Sequence, residues 1–227
     1  MKLLIFGRWL FAFTALALLA AAGCAQSPSS AAEVGEVPKS TYPLPILGLP
    51  TVNEAGDSLA YQSPTFAFVN QDSSLITSED VKGKVIVADF FFTLCPSICP
   101  KMSQQMVRIH DEFLKDDRLI LLSHTIDPYN DSVAVLKEYA DALDVSSKRW
   151  HMMTGERDSL YTTARAYMVS AMEDSQAPGG FLHSGAFVLV DQNRHIRGYY
   201  DGTKAEEVDQ LMTDIRWLFD QNENGNP

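Results

Sequence analysis

Residues 85–92 read Val-Ile-Val-Ala-Asp-Phe-Phe-Phe and lead straight into Thr93-Leu94-Cys95-Pro96-Ser97-Ile98-Cys99-Pro100. A β-branched and aromatic run with one charge, bounded by Gly83-Lys84, predicts a strand buried on both faces in the middle of a parallel sheet. Pro96 suits a first helical turn, where a missing N–H costs nothing. A helix is therefore expected to open there and run through Met102 and Met106 towards Phe113, with Pro100 kinking its first turn. Cys99 then stands one turn on from Cys95, and the two sulfurs converge where the helix begins. That position, at the carboxyl end of a central strand, is where α/β sheets carry their sites.

Unpaired N–H groups and the helix dipole favour thiolate over thiol, which makes each sulfur a better nucleophile and a better soft-metal ligand. The spacing is C-x-x-x-C rather than the C-x-x-C of thioredoxin-type redox pairs, and the extra residue leaves room for an ion. Structural zinc asks for four ligands, and no second cysteine pair exists. Two thiolates with one imidazole suit Cu(I), which is soft and accepts low coordination. The plain alternative is a structural disulfide or two core cysteines. Among the five histidines, His183 is delivered by a loop over 169–182 containing Pro178-Gly179-Gly180, to the start of a strand. His124 lies inside a buried strand as a core residue bonded to backbone, while His110, His151 and His195 fall on a helix face, near a strand start and in a turn. Met102 and Met106, four apart on a helix, read as core packing. Asp131 or Ser132 caps the following helix, and Asp127 is left as a polar neighbour of the site or part of a docking surface.

The stretch Asp89 to Pro100 resembles the signature of the Sco/SenC family. Gly83-Lys84-Val85, Thr125-Ile126-Asp127-Pro128, Thr154-Gly155 and His183-Ser184 before Phe187-Val188-Leu189-Val190-Asp191 follow in the same order, so the resemblance covers about residues 60–220. It implies a thioredoxin-like fold, one copper held by Cys95, Cys99 and His183, and a part in assembling the dinuclear CuA centre of cytochrome c oxidase. The chain departs from the family at Leu182, where many members have an acidic residue, and at Leu94, where many are polar. Neither change removes a ligand. Many thioredoxin-like reductases carry a cis-proline near the position of Gly185, but the segment Phe181 to Asp191 has no proline. A proline ring there would obstruct a third ligand, so its absence favours metal binding over general dithiol reduction.

At the start of the chain, Lys2 and Arg8 precede the apolar segment Trp9 to Ala22, and Ala21-Ala22-Gly23-Cys24 has the layout of a lipoprotein box. Residues 1–23 are then a signal peptide and Cys24 the lipidated residue. The competing reading is an uncleaved anchor, since no charge appears from Trp9 to Ala32. Both readings tether the domain outside the cytoplasm, in a bacterial cell envelope. Residues 24–56 read as a flexible linker whose Tyr42 to Pro50 is apolar enough to pack against the domain, and 221–227 as a disordered tail. Residues 57–220 are expected to form one α/β domain, a thioredoxin-like fold whose central mixed sheet is flanked by helices. An N-terminal hairpin, pairing Ser58 to Tyr61 with Thr65 to Val69, and an inserted loop complete it. The formal charge of −11 argues against nucleic acid.

Two functions are consistent with these residues. The first is a metallochaperone that binds one copper, as Cu(I) or as Cu(II) with an added oxygen ligand, and passes it to the CuA-bearing oxidase subunit by stepwise thiolate exchange. The alternative is a thiol-disulfide oxidoreductase that reduces the CuA cysteines, with Cys95 attacking and Cys99 resolving. A peroxidase would need donors clustered around one activated cysteine, and no such cluster is evident. Further partners are a copper donor or thiol reductant and, through the lipid, a membrane.

Overall fold

A computed structural model describes residues 40–223; the expected signal peptide, Cys24, the first part of the linker and residues 224–227 lie outside them. In chain order the elements are β1 (Thr51–Val52), β2 (Ser58–Leu59), β3 (Ala67–Asn70), β4 (Leu75–Thr77), β5 (Val85–Phe91), α1 (Cys99–Glu112), β6 (Leu119–Thr125) and α2 (Val133–Ala142). Next come β7 (Trp150–Thr154), α3 (Arg157–Ala166), β8 (Ala171–Glu173), β9 (Phe181–His183), β10 (Ala186–Val190), β11 (Ile196–Asp201) and α4 (Ala205–Glu223). Seven strands form one mixed sheet in the order β11-β10-β5-β6-β7-β3-β4. Its centre, β5-β6-β7, is parallel, and β3, β4, β10 and β11 join antiparallel. This is the thioredoxin-like arrangement expected.

Every residue of β5 and of β6 is buried, as continuous apolar runs covered on both faces require. Alternation along β5 sends Phe91 to Tyr139 of α2 and Phe90 to the opposite face, where it meets His124 and Tyr167. On the first face α1 joins α2 through Ser103 Oγ and Tyr139 OH, 2.7 Å apart, and meets α4 through the edge contact of Phe113 with Phe219. The second face is filled by Phe66, Phe68 and Tyr167 around the His124 ring. Met102 and Met106 are buried in the core as their spacing predicts.

The entry hairpin differs from the expected pairing. Asn53 closes a tight turn onto Asp57 and Gly56, where φ is +87°, so β2 pairs back with β1 instead of forward. Asn70 does the same one element later, its side-chain oxygen accepting from the N–H groups of Asp72 and Ser74, and β3 pairs with β4. A second difference is the stretch 169–182, expected as a loop. It forms the β8–β9 hairpin, closed by a single 3-10 turn at Pro178–Gly180 with Gly179 and Gly180 in the left-handed region that their missing Cβ allows. The strands are three residues each, too short for an alternating pattern to show. At the other end of the chain α4 continues to Glu223, into the expected tail.

The segment from Ser40 to Leu47 is strapped to the domain, as the apolar composition of Tyr42 to Pro50 predicts. Tyr42 stacks on Trp217 with ring centres 5.1 Å apart, Leu44 is buried, and Leu47 N–H donates to the Ile196 carbonyl at 2.8 Å. The anchor is Asp214, a fully buried carboxylate of α4. It accepts from Ser40 Oγ, from the Tyr42 and Tyr200 hydroxyls at 2.6 Å each, and from Gln210 Nε2 at 2.9 Å. Burial and this carboxylate push the Tyr42 phenol up to about 12, so it stays a donor throughout the ordinary pH range. Hydrogen bonds to a buried charge are worth about 1.5–3 kcal/mol each, and losing the acceptor leaves several donors unpaired. Asp214→Ala is therefore expected to lower the unfolding free energy by about 3 kcal/mol in a denaturant titration, and an unchanged midpoint would refute the anchor.

Candidate metal centre

The chain leaves the sheet at Phe91, and a clamp fixes the residues beyond it. Asp131, fully buried on the turn between β6 and α2, accepts from the Thr93 N–H at 3.2 Å, from Thr93 Oγ1 and from Thr125 Oγ1. It does not cap α2; Ser132 does, accepting from Val135 N–H. Thr93 is thereby tied to the end of the neighbouring strand, and Cys95 comes next in a turn closed by its own N–H on the Phe92 carbonyl at 3.3 Å.

Helix α1 opens at Cys99, three residues later than expected at Pro96. Pro100 has no N–H to give to the Pro96 carbonyl, so a helix from Pro96 would lack its first bond. Started at Cys99, it carries Pro100 in its first turn, where no bond is lost. Lys101 and Met102 N–H groups then both reach the Ile98 carbonyl at 3.0 Å.

His183 arrives from the β8–β9 hairpin, whose turn rests on the cysteine loop. A Cβ on Gly179 would come within 2.8 Å of the Phe92 ring and 3.2 Å of Pro96, so only glycine allows this approach. The Phe92 ring stands edge-on to the His183 ring at 5.7 Å and backs Phe181 at 5.0 Å. His183 Nε2 faces both sulfurs, 3.3 Å from Cys99 Sγ and 3.9 Å from Cys95 Sγ. All three donor atoms lie within 4.8 Å of one another, and this is the one cluster of that kind among the described residues. An ion held in a trigonal plane at about 2.3 Å from sulfur and about 2.0 Å from nitrogen needs about 3.7 Å between those atoms. The two observed separations bracket that value, so the residues present fit a three-coordinate metal.

The two thiols are free and unlike. Burial alone would push the Cys95 thiol up, but the hydrogen bond with His183 and the N–H groups of Cys99 and Ser97 aimed at its sulfur outweigh this and bring it down to about 6. Cys99 lies deeper. Burial pushes its thiol well above the ordinary range, and the charges of Cys95 and Asp89 act in the same direction.

Asp89 was legible as the one charge in the strand, yet the sequence assigned it no role beyond the motif. It is wholly buried, held by a hydrogen bond from Ser123 Oγ, which in turn accepts from Trp150 Nε1 at 2.8 Å, and burial pushes its carboxyl up to about 7. Sequence reasoning also missed Thr93 and Ser97, whose hydroxyl lies 3.6 Å from Cys95 Sγ. The other histidines stand apart from the thiols. His124 Nδ1 lies 3.4 Å from the Asp89 carbonyl, and burial brings the ring down to about 4, so it is neutral in the core as expected. His110 pairs with Asp111, His151 with Asn70, and His195 with Asp191. Asp127, also buried, accepts from Asn130 Nδ2 at 2.7 Å and holds its own turn. Gly185 bonds the Gly202 N–H through its carbonyl at 2.7 Å.

The sequence model of the family described as SCO1/SenC matches residues 55–220. The SCO1 protein homolog of Bacillus subtilis (strain 168) is 28% identical over 162 residues, which are 70% of this chain and 84% of that protein. Among solved structures, a SCO1/SenC family lipoprotein from Bacillus anthracis str. Ames superposes with a TM-score of 0.64 at 26% identity, over 70% of this chain and 95% of that one. BsSco, a member of the Sco family of cytochrome c oxidase assembly proteins in which a disulfide switch was identified, gives 0.62 at 26% identity, over 70% and 93%. Copper-bound yeast Sco1 shares the fold, with a TM-score of 0.55 at 24% identity over 68% and 88%.

The unlike thiols make a direct expectation for the reduced, metal-free protein. Alkylation measured against pH gives a midpoint of about 6 for Cys95, with Cys99 unreactive until far more alkaline solution. His183→Ala moves the Cys95 midpoint up towards the ordinary thiol range near about 8.5. Two thiols titrating together, or no response to His183→Ala, would contradict the assignment.

Proposed function

The chain belongs to the SCO1/SenC family, and on that premise we propose that it is a copper metallochaperone that binds one copper ion through Cys95, Cys99 and His183 and passes it to the CuA site of cytochrome c oxidase. The observation that carries this reading is the position of His183 Nε2, 3.3 Å and 3.9 Å from the two sulfurs. Two soft thiolates and one imidazole, without a fourth protein ligand, favour Cu(I) over zinc. The copper is cargo. It leaves by exchange, one thiolate of the acceptor replacing one ligand at a time, so that the ion is never released to water.

The chain supplies the order of those steps. Cys95, the shallower sulfur with the lower proton affinity, is the ligand an acceptor thiolate reaches first. Cys99, at the buried base, holds the ion until the acceptor has two bonds to it. His183 belongs to a hairpin that pairs only with itself, and its Nδ1 is buried without a hydrogen-bond partner. Nothing bonded to the ring on that side restrains it as the ligand set changes.

A second reading has its own support in the disparity between the thiols. In a reductase, the Cys95 thiolate attacks one sulfur of a CuA-site disulfide and expels the other as thiolate. Cys99 then loses its proton and attacks Cys95, forming the Cys95–Cys99 disulfide and releasing the second partner thiol, so two electrons pass to the partner. The low proton affinity of Cys95 and the high one of Cys99 match attacking and resolving roles.

We also infer that residues 1–23 are removed, that Cys24 carries lipid, and that the domain works in the cell envelope outside the cytoplasm. The lipoprotein from Bacillus anthracis supports this by similarity. Among the described residues no helix is long and apolar enough to cross a membrane. Cys24→Ser should move the chain from the membrane fraction to the soluble envelope fraction, and an unchanged membrane association would point to an uncleaved anchor.

Titration of the reduced protein with Cu(I) against a competing chelator decides the main reading. One copper per chain is expected, with affinity falling by at least about a hundredfold in His183→Ala and more in Cys99→Ala. Weak binding by the unmodified protein, together with rapid disulfide exchange, would leave the reductase in its place.

A further inference from the structure

The residues that precede two of the ligands in the chain are large, apolar and open to water: Leu94, before Cys95, is 67% exposed and Leu182, before His183, is 47% exposed. Two more of the same kind stand beside them, Tyr129 at 79% and Met172 at 50%. Local geometry links the four. Met172 pairs with Leu182 across the β8–β9 hairpin. The turn of that hairpin packs through Gly179 on Phe92 and Pro96, the residues on either side of the Leu94 turn. Tyr129 lies on the turn whose Asp131 holds Thr93, the neighbour of Leu94. A single exposed leucine is ordinary, whereas several large apolar side chains around one opening mark a contact surface.

Building on the copper-transfer reading, we propose that Leu94, Tyr129, Met172 and Leu182 form an apolar docking collar for the copper acceptor, a folded domain with an uncharged, apolar rim around its own metal site. The occupant is set by the chemistry of exchange. An acceptor ligand must come within about 2.0–2.3 Å of the ion, and the ion's sulfurs are buried, so the acceptor backbone has to lie against the residues that flank them. A charged rim on the acceptor would lose its hydration against Leu94 and Leu182, and the charged side chains beside Met172, Arg157 and Glu173, are already paired with each other. The surface also lies at the opposite end of the sheet from Leu47 of the strap. Leu47 joins β11 at Ile196, which pairs with Val190 and through it with Ile86 at the start of β5, whereas the thiols lie beyond the other end of that strand. This chain has leucine at both positions that precede a ligand, Leu94 and Leu182. Its acceptor is accordingly selected by apolar fit, and the contact is insensitive to salt.

The test uses the copper-loaded full chain in detergent and, as probe, the metal-free soluble CuA domain of a bacterial cytochrome c oxidase, with transfer rates measured at low and high sodium chloride. The combined Leu94→Ser, Tyr129→Ser, Leu182→Ser variant should keep its copper affinity and transfer at least about tenfold more slowly. Tyr129→Ser alone, which neighbours no ligand, should slow transfer by about threefold. Leu49→Ser, on the strap side and 83% exposed, should transfer at the unmodified rate. Salt should change the unmodified rate by less than about twofold. Transfer at full rate by the combined variant, or a steep salt dependence, overturns the collar. If the unmodified chain holds no copper, the chaperone reading itself fails. The collar is then read from the dissociation constant of the reduced, metal-free chain with the same CuA domain, where the same variants must weaken the complex and an unchanged constant overturns the proposal.

Discussion

A carboxylate shut away from water ties the loop that carries Cys95 to the end of the next strand, and the metal centre depends on that tie. Asp131 binds Thr93 twice and Thr125 once. Without it, the seven residues between the end of β5 and the start of α1 have few bonds of their own, since the helix does not begin until Cys99. The clamp also explains why the parallel pairing of β5 with β6 matters for chemistry as well as for stability. The register sets Phe91 opposite Thr125, which brings Thr93 and the β6–α2 turn within reach of one carboxylate. Buried polar groups of this kind are costly unless fully satisfied, and this one is bonded on both oxygens.

From that fixed loop the two thiols inherit different surroundings. Cys95 sits where N–H groups of the opening turn converge on its sulfur, and Cys99 sits one step further in, where burial and the nearby Asp89 act on it. The same helix start therefore lowers one thiol and leaves the other raised by burial. A pair of identical cysteines would serve either a static metal site or an indifferent disulfide. A pair this unequal distinguishes the two, Cys95 being the more readily ionised and Cys99 the more firmly protonated. The imidazole that faces both of them completes a donor set that fits one three-coordinate ion.

The central strands, the four helices, the two thiols and His183 were legible in the sequence because each rests on a pattern longer than itself. The buried run of β5 needs no partner to be recognised, and α4 announces its inward face through Val208, Leu211, Ile215 and Leu218, all buried. What was not legible depended on single side-chain bonds. Asn53 and Asn70 redirect the chain into hairpins through one oxygen each, and nothing in composition distinguishes them from other loop asparagines. Pro100 moved the helix start by three residues, although its consequence could have been drawn from its missing N–H. Asp131 and Ser132 are both short polar residues before a helix, and the pattern does not say which of them takes the cap; Ser132 does, and the partners of Asp131 are 38 and 6 positions away. The influence of Asp89 on Cys99 depends on a strand register that only the assembled sheet supplies.

The placement of the strap bears on how such a site meets its partner. Ser40 and Tyr42 are fastened to Asp214, and Leu47 to the sheet at the end away from the thiols. The chain before Ser40 therefore joins the domain beside α4, and not at the loop that carries Cys95. Fastening residues 40–47 to the domain fixes the place from which the preceding chain departs. Whatever that preceding chain carries is thereby held to α4 rather than to the hairpin and the turn that surround the thiols.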